Sequence, residues 1–266
     1  MNLRIPILAI TLGGLLAGGC ASGALTTPAG SASAASSTGS PTPTVVIWFP
    51  ATATPTREAV PTPEPTADKK PGVGEVVLTD DFSSPSNWNI AVADEASVAR
   101  TADGLTIAVQ PGIAPVASFR QGMVFGDMYA EVTARPSLCR GADNYGLLFR
   151  APNNVAYYRF AVACDGTADA ERISLGSPHV LQSPTRSADV PVGAPGEVRL
   201  GVWAFGSEFR FFLNGRYQFT ASDVSYRTGG VGVFAHAAGD TPVTVTFSDL
   251  SVYNLVAGAV VPTGTP

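Results

Sequence analysis

Histidine occurs at only two of the 266 positions, His179 and His236, and cysteine at only three. Neither histidine lies near a cysteine or at ligand spacing from a second histidine, which removes the basis for a transition-metal centre. Charged side chains are sparse at 14%, and acids outnumber bases 21 to 16, for a net charge of −5. Such a surface is a poor match for nucleic acid and offers no polybasic patch to lipid headgroups; it suits a neutral or weakly charged partner. The helical 3.6-residue period is nearly absent. So is any phosphate-cradling loop or nucleophile elbow, since Gly229-Gly230-Val231-Gly232 reads as a turn leading into a strand.

What is present begins with MNLRIPILAITLGGLLAGGC: Arg4, an apolar run from Ile5 to about Ala17, then small residues before Cys20. The run is too short to span a bilayer and has the layout of a secretory signal over residues 1–19. Leu16-Ala17-Gly18-Gly19-Cys20 resembles the bacterial lipobox, which implies lipidation of Cys20 and a surface lipoprotein that touches the membrane only through its anchor. The alternative is ordinary secretion with Cys20 as an odd thiol. Residues 20–73 shift to Ser, Thr, Ala, Pro and Gly, a composition that cannot offset its ordering entropy by burial, and are expected to form a disordered stalk. Only VVIWFP, residues 45–50, interrupts it. Residues 257–266 are expected to be a flexible tail.

Between these segments, residues 74–256 carry short alternating runs bounded by turn signals: GLTIAVQ, DMYAEVTA, YGLLFR, AYYRFAVAC, EVRLGVWAF, EFRFFLNG and PVTVTFSDLSVYNL. The pattern is that of an all-β sandwich or barrel. In YGLLFRAPNNVAYYRFAVAC, a turn tip at Asn153-Asn154 places Leu147, Phe149, Tyr158, Phe160, Val162 and Cys164 on a core face. Leu148, Arg150, Tyr157 and Arg159 then fall on the opposite face, toward water or a ligand. A second hairpin turning at Gly206-Ser207 sets Val202, Phe209 and Phe211 inward and Trp203 opposite Arg210 on the outside, with Phe212, Tyr217 and Phe219 on that same side.

The order of DDFSSPSNW, NYGLLFR with YYRFAVACDG, VRLGVWAFGSEFRFFLNG, GGVGVFA and the closing VTFSDLSVYN resembles the concanavalin A-like lectin/glucanase family, in particular its laminin-G-like modules. The resemblance implies a two-sheet antiparallel jelly-roll sandwich, with the concave outer surface of one sheet often a sugar site. It implies no activity, because lectins, glycosidases, adhesion modules and spacers share the fold. The glucanases of the family carry E-x-D-x-E on one strand, and no such run exists here. Asp169-Ala170-Glu171 has the two-residue spacing but follows a turn-like segment and reads as a solvated loop. Asp127 and Glu131 flank a strand of small and apolar residues and read as charges that keep its outer side polar or set its register.

An exported address makes Cys139–Cys164 the default disulfide, against two separate buried thiols. The assumed register puts Cys164 opposite Asp143, so Arg140-Gly141-Ala142 must fold back to bring Cys139 within bridging distance. No cofactor is expected beyond a structural Ca²⁺ shared by Asp80, Asp81 and Asp249, for which the alternative is simple edge-strand charge. The expected function is a non-catalytic glycan-binding or adhesion module. Its candidate contacts are Arg150, Tyr157 and Arg159 on one platform and Trp203 with Arg210 on another, unless a further layer covers them. A glycosidase of the same fold and a structural module without ligand are the alternatives.

Overall fold

The computed structural model describes residues 68–256. The expected signal peptide, Cys20, the expected stalk as far as residue 67 and the expected tail from residue 257 lie outside the described residues. Within them the strands run β1 (Val73–Asp80), β2 (Ala91–Val92), β3 (Ala96–Thr101), β4 (Gly104–Val109) and β5 (Val116–Phe119). Then come β6 (Met128–Leu138), β7 (Asn144–Asn153), β8 (Ala156–Ala163), β9 (Thr167–Ser174) and β10 (Ser177–Arg186). The last five are β11 (Val198–Phe205), β12 (Glu208–Leu213), β13 (Arg216–Ser222), β14 (Gly230–His236) and β15 (Val243–Leu255). A nine-stranded sheet has the order β13-β12-β11-β6-β15-β4-β3-β2, with β1 also paired to β15, and a six-stranded sheet has the order β10-β9-β8-β7-β14-β5. Together they form the concanavalin A-like jelly roll.

Period-two alternation builds the core between the sheets. The six-stranded sheet sends in Tyr145, Leu147, Phe149, Tyr158, Phe160 and Val162; the other answers with Val132, Leu200, Val202, Phe209, Phe211 and Phe247, all fully buried. Phe149 stacks on Tyr158 at 5.3 Å and meets Phe209 edge-on at 5.2 Å, while Phe160 lies 4.9 Å from Phe211. Each such side chain removed from water contributes about 1.5–3 kcal/mol.

Both hairpin registers match the alternation in the sequence. Phe149 pairs with Tyr158 and Leu147 with Phe160; Trp203 pairs with Arg210 and Val202 with Phe211. Two bulges break the alternation beyond these pairs. In β7 the register jumps between Phe149 and Asn153, which pairs with Ala156, so the tip is Asn154-Val155 and not Asn153-Asn154. In β13 a shift after Phe211↔Phe219 leaves Phe212 opposite Tyr217, and Phe219 turns inward, 4.8 Å from Phe211, instead of joining Tyr217 outside.

Cys139 and Cys164 are disulfide-bonded with Cα atoms 6.0 Å apart. Cys164 donates its N–H to Asp143 O, so it does stand opposite Asp143. The intervening residues fold back as a turn: Asp143 N–H donates to Arg140 O, Gly141 takes φ 58°, and the buried Asp143 carboxylate accepts from Arg140 N and Gly239 N. The left-handed position at residue 141 is one that glycine adopts without steric cost.

Candidate functional site

The outer face of the six-stranded sheet carries its own small apolar cluster: Phe119, Leu148, Ala151, Ala161 and Phe234, with Ala117 and Tyr157 against it. Glycines let its rings lie close to the backbone. A Cβ on Gly146 would fall 3.1 Å from Phe234 Cε1, and one on Gly232 would fall 3.0 Å from Phe119 Cδ1. Tyr157 leans on Phe119, ring centroids 5.5 Å apart, and remains part-exposed. Burial pushes its phenol pKa up. Beside it opens a recess of about 730 Å³, lined by Asn89, Phe119, Gln121, Met123, Asn153, Asn154 and Tyr157 among others.

The recess is polar in a particular way. Gln121 Nε2 donates to Asn89 Oδ1 at 3.0 Å and to Phe119 O at 3.1 Å, and Asn153 Oδ1 accepts from Val155 N, which holds these amides in place. Among the described residues Asn154 has no side-chain hydrogen-bond partner, so its amide is open to a ligand. Among the described residues the one charged side chain in the lining, Arg120, donates from Nε to Asp80 at 2.6 Å. Paired charges of this kind leave a lining that is nearly neutral.

A second group of polar side chains lies on the same face, on β8, β9 and β14. Arg159 pairs with Glu171, its guanidinium carbon sits 5.0 Å over the Phe234 ring, and its Nε is buried without a partner. Asp169, two residues from Glu171, is on strand β9 and mostly buried, not in a solvated loop. Burial, then the Glu171 charge, pushes its pKa from 3.8 up to about 6. His236 is held below its ordinary value by burial and by Arg159.

Arg150 is not on this face. It is fully buried, donating to Gly126 O at 3.1 Å, Gly206 O at 2.6 Å and Asp127 Oδ1 at 2.9 Å, and lying 5.3 Å over Phe209. The cause is the β7 bulge: Arg150 adopts φ 44°, two consecutive residues then point inward, and parity inverts. Asp127 correspondingly ties Arg150 to the 206–207 turn, accepting also from Gly206 N. Glycine at 229 accommodates the bulge, since a Cβ there would stand 2.4 Å from Ala151 N.

Trp203 and Arg210 do face outward, with the guanidinium 4.5 Å over the indole. The platform is nonetheless closed. Trp203 is 2% exposed, and its Nε1 donates to Pro71 O at 3.0 Å; Arg210 donates to Lys69 O at 3.2 Å and to Glu208 at 2.6 Å. The cover is the end of the expected stalk, residues 68–72, rather than a further sheet.

Of the three aspartates expected to share Ca²⁺, Asp80 stands apart while Asp81 and Asp249 reach one surface groove. Asp80 is buried, its carboxylate accepting from Arg120, Trp88 Nε1 and Phe82 N. Exposed Asp81 accepts from Ser83 N, and Asp249 from Ser248 Oγ; both line a separate surface groove. Among the described residues no group of three or more His, Cys, Asp or Glu stands at metal-ligating range.

No protein-family model matches the sequence, and no curated protein does. Solved structures do match in fold. The carbohydrate-binding module CBM66 from Bacillus subtilis aligns with TM-score 0.52 at 16% identity, over 63% of this chain and 96% of that one. A galectin-like protein of unknown function from Bacillus subtilis aligns with TM-score 0.50 at 14% identity, over 69% and 98%. The catalytic domain of an endo-1,3-β-glucanase from Thermotoga petrophila aligns with TM-score 0.50 at 12% identity, over 69% and 98%. At these identities the likeness establishes the concanavalin A-like fold, a scaffold that carries both binding modules and hydrolases.

Proposed function

We propose that the sandwich is a non-catalytic glycan-binding module displayed outside the cytoplasm, with the recess beside Tyr157 as its site. The observation that carries this reading is one part-exposed aromatic ring set beside fixed amides in a nearly neutral recess. Sugars are bound by that combination: the C–H face of a pyranose or furanose packs on the ring, and amides exchange hydrogen bonds with its hydroxyls. Neutralisation of Arg120 by Asp80 favours uncharged sugars over uronates or sulfated chains. Similarity in fold to a carbohydrate-binding module and a β-glucanase supports a carbohydrate partner. The disulfide fits an oxidising compartment, and lipidation at Cys20 would supply the surface tether. Cys20→Ser would then move the protein from the membrane fraction to the medium.

The test is an array of neutral and acidic oligosaccharides probed with the Cys20→Ser protein, followed by a hydrolysis assay on every hit. Binding of neutral glycans without turnover is the expected result. One observation favours a second reading, a glycosidase. Asp169, its pKa pushed up to about 6, is half-protonated near that pH beside a Glu171 carboxylate paired with Arg159, a division into acid and carboxylate of the kind glycoside hydrolysis uses. Turnover that is lost in Asp169→Asn would establish that reading over the first.

A further inference from the structure

The two lysines at 69 and 70 are the only lysines in the 266-residue sequence; every other basic side chain besides the histidines is arginine. Both sit on aromatic rings. Lys69 Nζ lies 5.1 Å over Tyr217, and Lys70 Nζ lies 4.8 Å over Tyr129 and 5.3 Å over Phe212. The backbone around them is read as well: Trp203 Nε1 and Arg210 Nη1 donate to Pro71 O and Lys69 O, and Gly72 O accepts from Val256 N. Beneath the segment, Tyr129, Trp203 and Phe212 form an apolar cluster separate from the main core, each no more than 4% exposed. Ammonium groups over ring faces, plus donors aimed at the carbonyls of a bent, Pro-containing segment, are the parts of a peptide-recognition groove.

We propose that the outer face of the nine-stranded sheet is such a groove, specific for a lysine-bearing, proline-containing peptide, and that residues 68–72 are its ligand held in cis. The strap closes this face to other ligands. The strap is on the sheet opposite the one bearing the recess, so it and the candidate sugar site occupy opposite sides of the domain. This inference is independent of what the recess binds. Because the strap is covalently attached, a free peptide competes against an effective concentration in the millimolar range for so short a connection. A cis ligand therefore stays bound unless its own contacts are weakened.

The chain's two lysines allow a direct test on the full-length protein. Reductive ¹³C-dimethylation leaves the charge in place and labels Lys69, Lys70 and the N-terminal amine if it is free. Two lysine methyl resonances shifted upfield by ring currents are expected, the Lys69 signal alone returning to the free position in Tyr217→Ala. Tyr217 is 39% exposed, so this variant keeps its fold. A synthetic peptide of residues 66–74 should bind the Lys69→Ala/Lys70→Ala protein about ten-fold more tightly than wild type, and the same peptide with both lysines replaced by alanine should lose that binding. Lysine signals at the free position in wild type would overturn the proposal, as would a peptide that binds both proteins equally or neither.

Discussion

Both sheets set aromatic rings on their outer faces, but one set is closed and the other is open. On the nine-stranded sheet, Tyr129, Trp203 and Phe212 are covered by the chain's own Lys69-Lys70-Pro71, and Arg210 spends its donors on that segment and on Glu208. On the six-stranded sheet, Tyr157 borders an open recess whose amides have capacity to spare. By residue type alone the Trp203–Arg210 face is the richer sugar platform. The difference teaches that an aromatic patch counts as a site only when nothing in the same chain already satisfies its rings and donors. An Arg beside an aromatic is equally ambiguous: Arg150 over Phe209 is a buried brace, whereas Arg159 over Phe234 lies on the outer face.

The contrast between inner and outer faces breaks most visibly at Tyr158. Tyr158→Ala empties a fully buried aromatic position and orphans two groups, since Tyr158 OH donates to Asp223 at 2.7 Å and accepts from Tyr226 N at 3.0 Å. A loss of about 3–5 kcal/mol is expected from the urea unfolding midpoint. Arg150→Ala should follow at about 3 kcal/mol, because the carbonyls of Gly126 and Gly206 lose their donor. Arg159→Ala, on the outer face where its side chain is 14% exposed, should cost less, about 1–2 kcal/mol. Equal losses for Arg150 and Arg159 would undo the assignment of one to the interior and the other to the surface.

How much of the fold and the site was legible in the sequence depends on the range of each signal. The two hairpin registers were readable because alternation and a nearby turn are local, and a shift of one residue would have put Phe149 and Tyr158 in water. The fold-back of residues 140–142 was readable from the same register combined with the two cysteines. The β7 bulge was not, because it depends on Gly229, about 80 residues away, making room for Ala151. Gly229-Gly230 was the available signal, but as a double glycine it reads equally well as an ordinary turn. The strap was hidden by composition: ADKKP continues a Pro- and Thr-rich segment, and only the folded sheet shows that its lysines meet rings. Nor is the recess written in any one stretch, since β5, the loop after it and the β7–β8 tip each supply part of its wall.

Comparable in size to Arg150→Ala is the disulfide, which pins the turn at the far end of the β7–β8 hairpin from the recess. Reduction should cost about 3 kcal/mol for a closed loop of this length and leave sugar affinity unchanged wherever the domain remains folded. A smaller effect comes from Asp169. Its folded pKa is raised, so the stability it contributes is full below about pH 4, and it is lost as pH rises through about 6. His236, depressed by burial, acts in the opposite sense, losing stability as pH falls below about 6.5. The difference between wild type and Asp169→Asn isolates the carboxyl. Thermal scans from pH 4 to pH 7 should show wild type losing ground steadily to the variant, and a constant gap would mean that Asp169 titrates as it does in the unfolded chain.

The smallest effect on stability, and the one that decides between the two outer faces, is expected at Tyr157. Its ring rests on Phe119 yet stays part-exposed, so Tyr157→Ala removes little core and should shift the unfolding midpoint by no more than about 1 kcal/mol. The same substitution deletes the part-exposed aromatic face beside Asn153 and Asn154 in the recess, and loss of a stacking surface should weaken binding of a neutral glycan by about 1 kcal/mol, close to ten-fold in Kd. Trp203→Phe is the matched control on the closed face: it keeps a ring but loses the N–H that holds Pro71, and it should leave glycan affinity untouched. Titration of both variants against one oligosaccharide, with the unfolding midpoint measured alongside, separates the faces. If Trp203→Phe weakens the sugar and Tyr157→Ala does not, the strap is no cover and the binding face lies on the nine-stranded sheet.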